Sequence, residues 1–139
     1  MLRILLIAFI AMVAGCAPLP PTPQDIQAKK FESVPDKAVV YIVRSNLDSS
    51  LPDTIWLDDY ATITTHPKTY YRWEVSSGTH RISGFAHSNA SIKLQIEAGK
   101  VYFVEHTVQG IWRTGVVGSH LRQISEQAGR ALVNRSQLI

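Results

Sequence analysis

From Lys37 to Ile124 the chain is a succession of short apolar or alternating runs, each broken by turn residues. That rhythm is the strongest constraint on what it can fold into. The first run, Ala38-Val39-Val40-Tyr41-Ile42-Val43, is β-branched and aromatic, with Pro35-Asp36 before it and Ser45-Asn46 after it. It reads as a central strand buried on both faces. Residues 54–57 and 60–64 follow as strands around Asp58-Asp59, a pair that tolerates left-handed backbone and so predicts a tight hairpin. Residues 69–75 turn through Ser76-Ser77-Gly78 into a return strand at 79–85. In 92–96, Ile92, Leu94 and Ile96 alternate with Lys93 and Gln95, giving one dry and one wet face. This strand turns through Ala98-Gly99-Lys100 into 101–108. A last strand at about 116–124 leads into 125–134. There Ser125 as N-cap, Glu126 in the first turn and the stripe Ala128, Ala131, Leu132 predict a short helix. Gly129 inside it costs about 1 kcal/mol relative to alanine. The expectation is a mainly β chain: a small antiparallel β-sandwich of about seven strands over residues 36–139, with a short C-terminal helix.

Register matters around Gly99. A three-residue loop puts Tyr102, Val104 and His106 on the face of Ile92, Leu94 and Ile96; a two-residue loop puts Val101, Phe103 and Glu105 there. The three-residue form is the commoner turn, and the other would bury Glu105 without a partner.

The N-terminus carries an address. Arg3, an apolar run from Ile4 to Val13 and the small residues Ala14-Gly15 precede Cys16, the one cysteine of the chain. Residues 1–15 have the parts of an export signal. Val13-Ala14-Gly15-Cys16 looks like a bacterial lipoprotein signal, in which Cys16 becomes the lipidated first residue. A retained membrane helix and ordinary cleavage after Ala17 are the alternatives. The first falls short of the roughly 20 apolar residues that span a bilayer. The second leaves Pro18 just after the cut, a poor substrate for that peptidase. Proteins of this kind carry three acyl chains, and two already give stable anchoring. Ala17 in place of aspartate after the cysteine implies the outer membrane, facing the periplasm. Residues 16–35, with four prolines between Pro18 and Pro23, read as the lipidated residue and an extended tether reaching several tens of Å.

With Cys16 lipidated, no thiol remains for a disulfide, a metal site or catalysis. The formal net charge of +3 falls by one when Arg3 is removed, and the charges are dispersed. No Lys/Arg stripe with interleaved aromatics supports nucleic-acid binding.

The stretch from Lys37 to about Val108 resembles a family of small bacterial lipoproteins known only as a domain of unknown function. The resemblance rests on Ala38–Arg44, Ile55-Trp56-Leu57-Asp58, Tyr70-Tyr71, Ser77-Gly78-Thr79-His80 and Ala98-Gly99-Lys100-Val101-Tyr102-Phe103-Val104, in that order and spacing. The middle part is also similar to PEGA-type hairpin units, though Ser76-Ser77-Gly78 lacks their proline and Asp58-Asp59 replaces their Asp-Gly. The strand order so implied is that of carboxypeptidase-regulatory or transthyretin-like sandwiches, which bind or present and are not usually catalytic.

Five histidines, His66, His80, His87, His106 and His120, show no close ligand spacing, so no metal is expected, although neighbouring strands could bring His80 and His106 together. His80 follows a Gly-Thr turn to which its ring can bond back. The run Tyr70-Tyr71-Arg72-Trp73 could form a stacking surface, with Tyr71 and Trp73 on one face and Tyr70 and Arg72 on the other. Trp112 stands in a loop between glycines, and an exposed tryptophan there would hint at binding. No Gly-x-Ser-x-Gly elbow or carboxylate pair frames an active site. The expectation is a membrane-anchored, non-catalytic binding or envelope-interaction module. Its only attached group would be the lipid on Cys16, and an envelope protein or peptidoglycan its partner. A small-ligand, sugar or metal binder is the alternative, and an enzyme is the third reading.

Overall fold

The computed structural model describes residues 20–45, 49–84, 90–111 and 113–139. Cys16, His87 and Trp112 lie outside the described residues. In chain order the elements are α1 (Pro23–Ala28), β1 (Ala38–Arg44), β2 (Asp53–Leu57), β3 (Ala61–Thr65), β4 (Thr69–Val75) and β5 (Gly78–Gly84). Then come β6 (Ser91–Ile96), β7 (Val101–Ile111), β8 (Gly115–Ile124), α2 (Glu126–Asn134) and β9 (Gln137–Leu138).

The strands form two sheets, ordered β8-β7-β1-β4-β9 and β3-β2-β5-β6. The protein is mainly β, a two-sheet sandwich with the short C-terminal helix that the sequence predicts. The first sheet is mixed: β1 runs parallel to β7, and β9 runs parallel to β4.

β1 is the axis of the packing. All seven of its residues are buried. Ala38, Val40 and Ile42, with Val104 of β7, face the second sheet, where Ile55, Leu57, Ile82, Leu94 and Ile96 complete the inner core. Val39, Tyr41 and Val43 face the other way, onto Phe31, Tyr70, Phe103 and Val133. This second core lies under the two helices, so the molecule has three layers: helices, mixed sheet and antiparallel sheet. A strand covered on both sides has no polar positions to alternate, which is why its sequence is a continuous apolar run.

Asp58 and Asp59 both adopt positive φ, 50° and 64°, and Tyr60 N–H bonds back to the Leu57 carbonyl at 3.3 Å. This is the I′-like turn expected for the β2–β3 hairpin.

Two other expected hairpins do not form. β4 and β5 belong to different sheets, so Ser76-Ser77 crosses between layers instead of folding a strand onto its neighbour. β6 and β7 are likewise in different sheets, and residues 97–100 make a corner. The face assignment survives the change of partner. Tyr102 and Val104 pack with Ile92, Leu94 and Ile96 in the inner core, and Phe103 faces the helices.

The segment expected as tether is also different. Residues 23–34 are folded onto the domain. Thr22 caps α1 by accepting from Asp25 N–H, and Pro23 occupies the first turn, where its missing N–H costs nothing. Phe31 then takes φ 57° and drives its ring into the outer core. Its centroid lies 5.3 Å from that of Tyr41 and 5.9 Å from that of Phe103, with the Arg130 guanidinium over its other face at 4.6 Å.

Candidate functional site

Three side-chain clusters carry the chemistry of the described residues, and all three are spent on the fold. The first lies between the sheets. His106 Nδ1 meets Thr65 Oγ1 at 3.1 Å, and Nε2 meets Ser119 Oγ at 2.8 Å and Asp53 Oδ2 at 3.2 Å. Arg44 Nη1 donates to the Thr65 carbonyl at 3.1 Å, and Nη2 donates to the carbonyls of Ser49 and Leu51, each at 2.7 Å. His106, Ser119, Asp53, Thr65 and Arg44 are all buried.

Serine, histidine and aspartate meet here, but not as a triad. Nucleophile activation needs the carboxylate on one ring nitrogen and the serine on the other. In this cluster both share Nε2, and Ser119 is closed off from solvent. The network instead clamps β2 and β3 to β7 and β8. Burial pushes the Asp53 carboxyl up, yet the hydrogen bond and charge of His106 outweigh it. With the Ser119 hydroxyl and the Thr54 backbone N–H, they hold the group below its ordinary 3.8.

The second cluster surrounds His80. Its Nδ1 meets Asp58 Oδ2 at 2.6 Å and its Nε2 meets the Ser76 carbonyl at 2.9 Å. Asp58 Oδ1 accepts from Arg81 N–H at 2.8 Å, and Arg81 also pairs with Asp59. The Trp73 ring stands edge-on to the imidazole, centroids 5.5 Å apart. Both ring nitrogens are engaged, so His80 staples the β2–β3 turn to the crossing between sheets. It bonds back to a turn, as the Gly-Thr context suggests. His80 and His106 lie in different sheets with separate partners and do not meet as strand neighbours. Among the described residues, no group of three His, Cys, Asp or Glu side chains could hold a metal ion.

The third cluster fixes α1. Asp25, only 4% exposed, accepts from Tyr70 Oη–H at 2.8 Å, Leu138 N–H at 3.0 Å and Lys29 Nζ at 2.8 Å. Lys29 Nζ also donates to the Ser136 carbonyl at 2.7 Å. Tyr41 Oη donates to the Ala28 carbonyl at 2.5 Å and accepts from Arg72 Nε at 3.3 Å. Burial again pushes the Asp25 carboxyl up, but hydrogen bonds from Lys29, Tyr70 and Leu138 N–H, together with the Lys29 charge, carry it below 3.8. Burial, then the bond to anionic Asp25, push the Tyr70 phenol far upward.

Both carboxyls therefore titrate lower in the folded chain than in the unfolded one. The unfolded state binds more protons as the medium acidifies, so their stabilisation is present above pH 3.8 and drains as pH falls through the folded values. The urea midpoint is expected to fall between about pH 6 and about pH 3, and to fall less in Asp25→Asn. An equal fall in that variant would remove Asp25 from the account.

What α1 leaves open is a groove of about 620 Å³ beside β4. Pro23, Gln24 and Gln27 form one wall, with Glu32 near them. Tyr71, Arg72 and Glu74 form the β4 side, and Leu138 with Ile139 closes one end. Gln27 Nε2 donates to Glu32 at 2.8 Å, and Arg72 pairs with Glu74.

The structure divides the four residues expected as one stacking surface. Tyr70 is fully buried under α1, and Trp73 and Tyr71 pack against the inner core. Only Tyr71 and Arg72 also reach the groove. Asp25, Arg44, Asp53, Thr65 and Ser119 carry the polar architecture without having been singled out in the sequence. Asp25 had a signal: Thr22-Pro23-x-Asp25 is a helix start.

The sequence matches no protein-family model and no curated protein sequence.

Proposed function

We propose that this protein is a non-catalytic binding module of the bacterial cell envelope, lipid-anchored through Cys16 in the outer membrane and facing the periplasm. The observation that carries the reading is the contrast between two kinds of site. The acid, base and hydroxyl groups that cluster in the described part of the chain are bonded to one another, and those around His106 and Asp25 are also buried. Among the described residues, a solvent-open groove instead lies between the anchor-proximal helix and an incompletely paired strand. Such a place binds; it has no activated group to react.

The docked helix also shortens the leash. Only residues 17–22 separate Cys16 from α1, a reach of about 20 Å at the extended proline-rich repeat. A domain held that close works on partners at the membrane surface.

Metabolic labelling with palmitate tests the anchor. The wild-type chain is expected to take up label and sediment with membranes, and Cys16→Ala to lose both. An unlabelled wild type sinks the lipoprotein assignment. Among the described residues no helix is long and apolar enough to cross a membrane.

A further inference from the structure

β4 has two unlike edges. On one, Tyr70 to Val75 pair with β1. On the other, β9 pairs with Thr69 and Tyr70 alone. Ile139 N–H adds one bond, to the Tyr70 carbonyl at 3.0 Å. Backbone groups alternate sides along a strand, so those of Arg72 and Glu74 point the way the Tyr70 carbonyl does. Among the described residues neither backbone N–H nor C=O of these two has a partner there. Ser76, next in phase, is already closed by His80 Nε2 on its carbonyl. The open stretch is bounded by Ile139 at one end and His80 at the other.

Proteins usually pair, cover or blunt such an edge. Here the groove runs alongside it instead. We infer that the Arg72–Glu74 edge docks an extended segment of a partner protein, which adds to the mixed sheet as a strand in line with β9. This rests on the binding-module reading and names its partner class.

The occupant follows from the chemistry. Two donors and two acceptors at strand spacing match an extended backbone. The side-chain walls are acidic: Glu32 and Glu74 face a single cation, Arg72, which Glu74 already holds. Glu32 is bonded by the Gln27 amide, and among the described residues no cation pairs with it. The segment therefore carries a lysine or arginine toward Glu32. A second copy fits less well. A two-fold axis joining β4 to its own copy would set both α1 helices on one face, along the same seam that each already walls. A lone strand meets no such obstacle.

The test uses the full lipidated chain in detergent, with an alternating Val-Lys decapeptide as probe and the same peptide N-methylated at alternate residues as control. The unmodified peptide is expected to shift and protect the Arg72 and Glu74 amides in NMR. N-methylation is expected to weaken binding about tenfold or more. Glu74→Pro should do the same at unchanged melting temperature, because the lost N–H faces the groove and the β1 ladder uses residues 71, 73 and 75. Binding that ignores both changes, absence of binding, or a β4-edge dimer that excludes the peptide overturns the inference. In cells, a photocrosslinker at Gln24 separates the two levels. A partner still captured by Glu74→Pro leaves the module reading standing and removes the edge. No capture from any position on the domain removes both.

Discussion

His106→Leu is expected to cost about 3–5 kcal/mol of stability, because it leaves the Asp53 carboxylate buried between the sheets without the imidazole that bonds to it. Leucine fills the volume but supplies no N–H, and Ser119 and Thr65 each lose an acceptor or donor with it. Denaturant unfolding gives the number directly, and the melting temperature should fall by on the order of 10 °C or more. The cost belongs to the orphaned charge rather than to the lost contact, and a double-mutant cycle separates the two. His106→Leu combined with Asp53→Val removes both partners and should cost far less than the two single changes added together. A loss below about 1 kcal/mol for the single variant would mean that water reaches Asp53, and the network would not be the clamp described above.

Gly129→Ala is the second large effect, and its sign is the reverse of the usual one. In the middle of a helix alanine gains about 1 kcal/mol over glycine. At this position an added Cβ would lie 2.2 Å from Phe103 Cγ and 2.3 Å from Cδ1. Phe103 is itself pinned, stacked on Tyr41 at 5.3 Å and bounded by Phe31 at 5.9 Å. It cannot step aside, so α2 must lift from the sheet. A net loss of about 2 kcal/mol is expected, from overpacking that exceeds the propensity gain. Phe103→Leu in the same chain should recover part of it. A stabilised Gly129→Ala would show that α2 does not sit against Phe103.

The same glycine shows where the sequence was readable and where it was not. Locally, Gly129 weakens a helix; only the packing reveals that the helix needs it in order to approach the sheet. Strand positions were legible because β-branched runs and turn residues are local signals. Residues 69–75 and the helix end at Asn134 fall where the pattern puts them. The face parity of Tyr70 against Tyr71, and of Phe103 against Val104, followed from the two-residue period. Sheet membership was not legible. A turn such as Ser76-Ser77-Gly78 looks the same whether the next strand pairs with the last one or crosses to the opposite layer. α1 was hidden by its own prolines, which read as an extended tether, although Thr22, Pro23 and Asp25 form a proper helix start. β9 is two residues long and has no pattern to show. The groove therefore could not be foreseen, since the α1 wall that faces β4 and the residues of its Leu138–Ile139 end were both hidden.

The clasp between those two elements also orders events in time. Asp25 holds Leu138 across 113 positions, and Lys29 holds Ser136 across 107. Contacts this distant close late, after the entropy of the intervening loop has been overcome. A chain that crosses a membrane N-terminus first would have α1 outside long before β9 arrives. In such a chain α1 would wait without Ser136 and Leu138 until β9 emerges. Loss of these two contacts would thus be felt at α1.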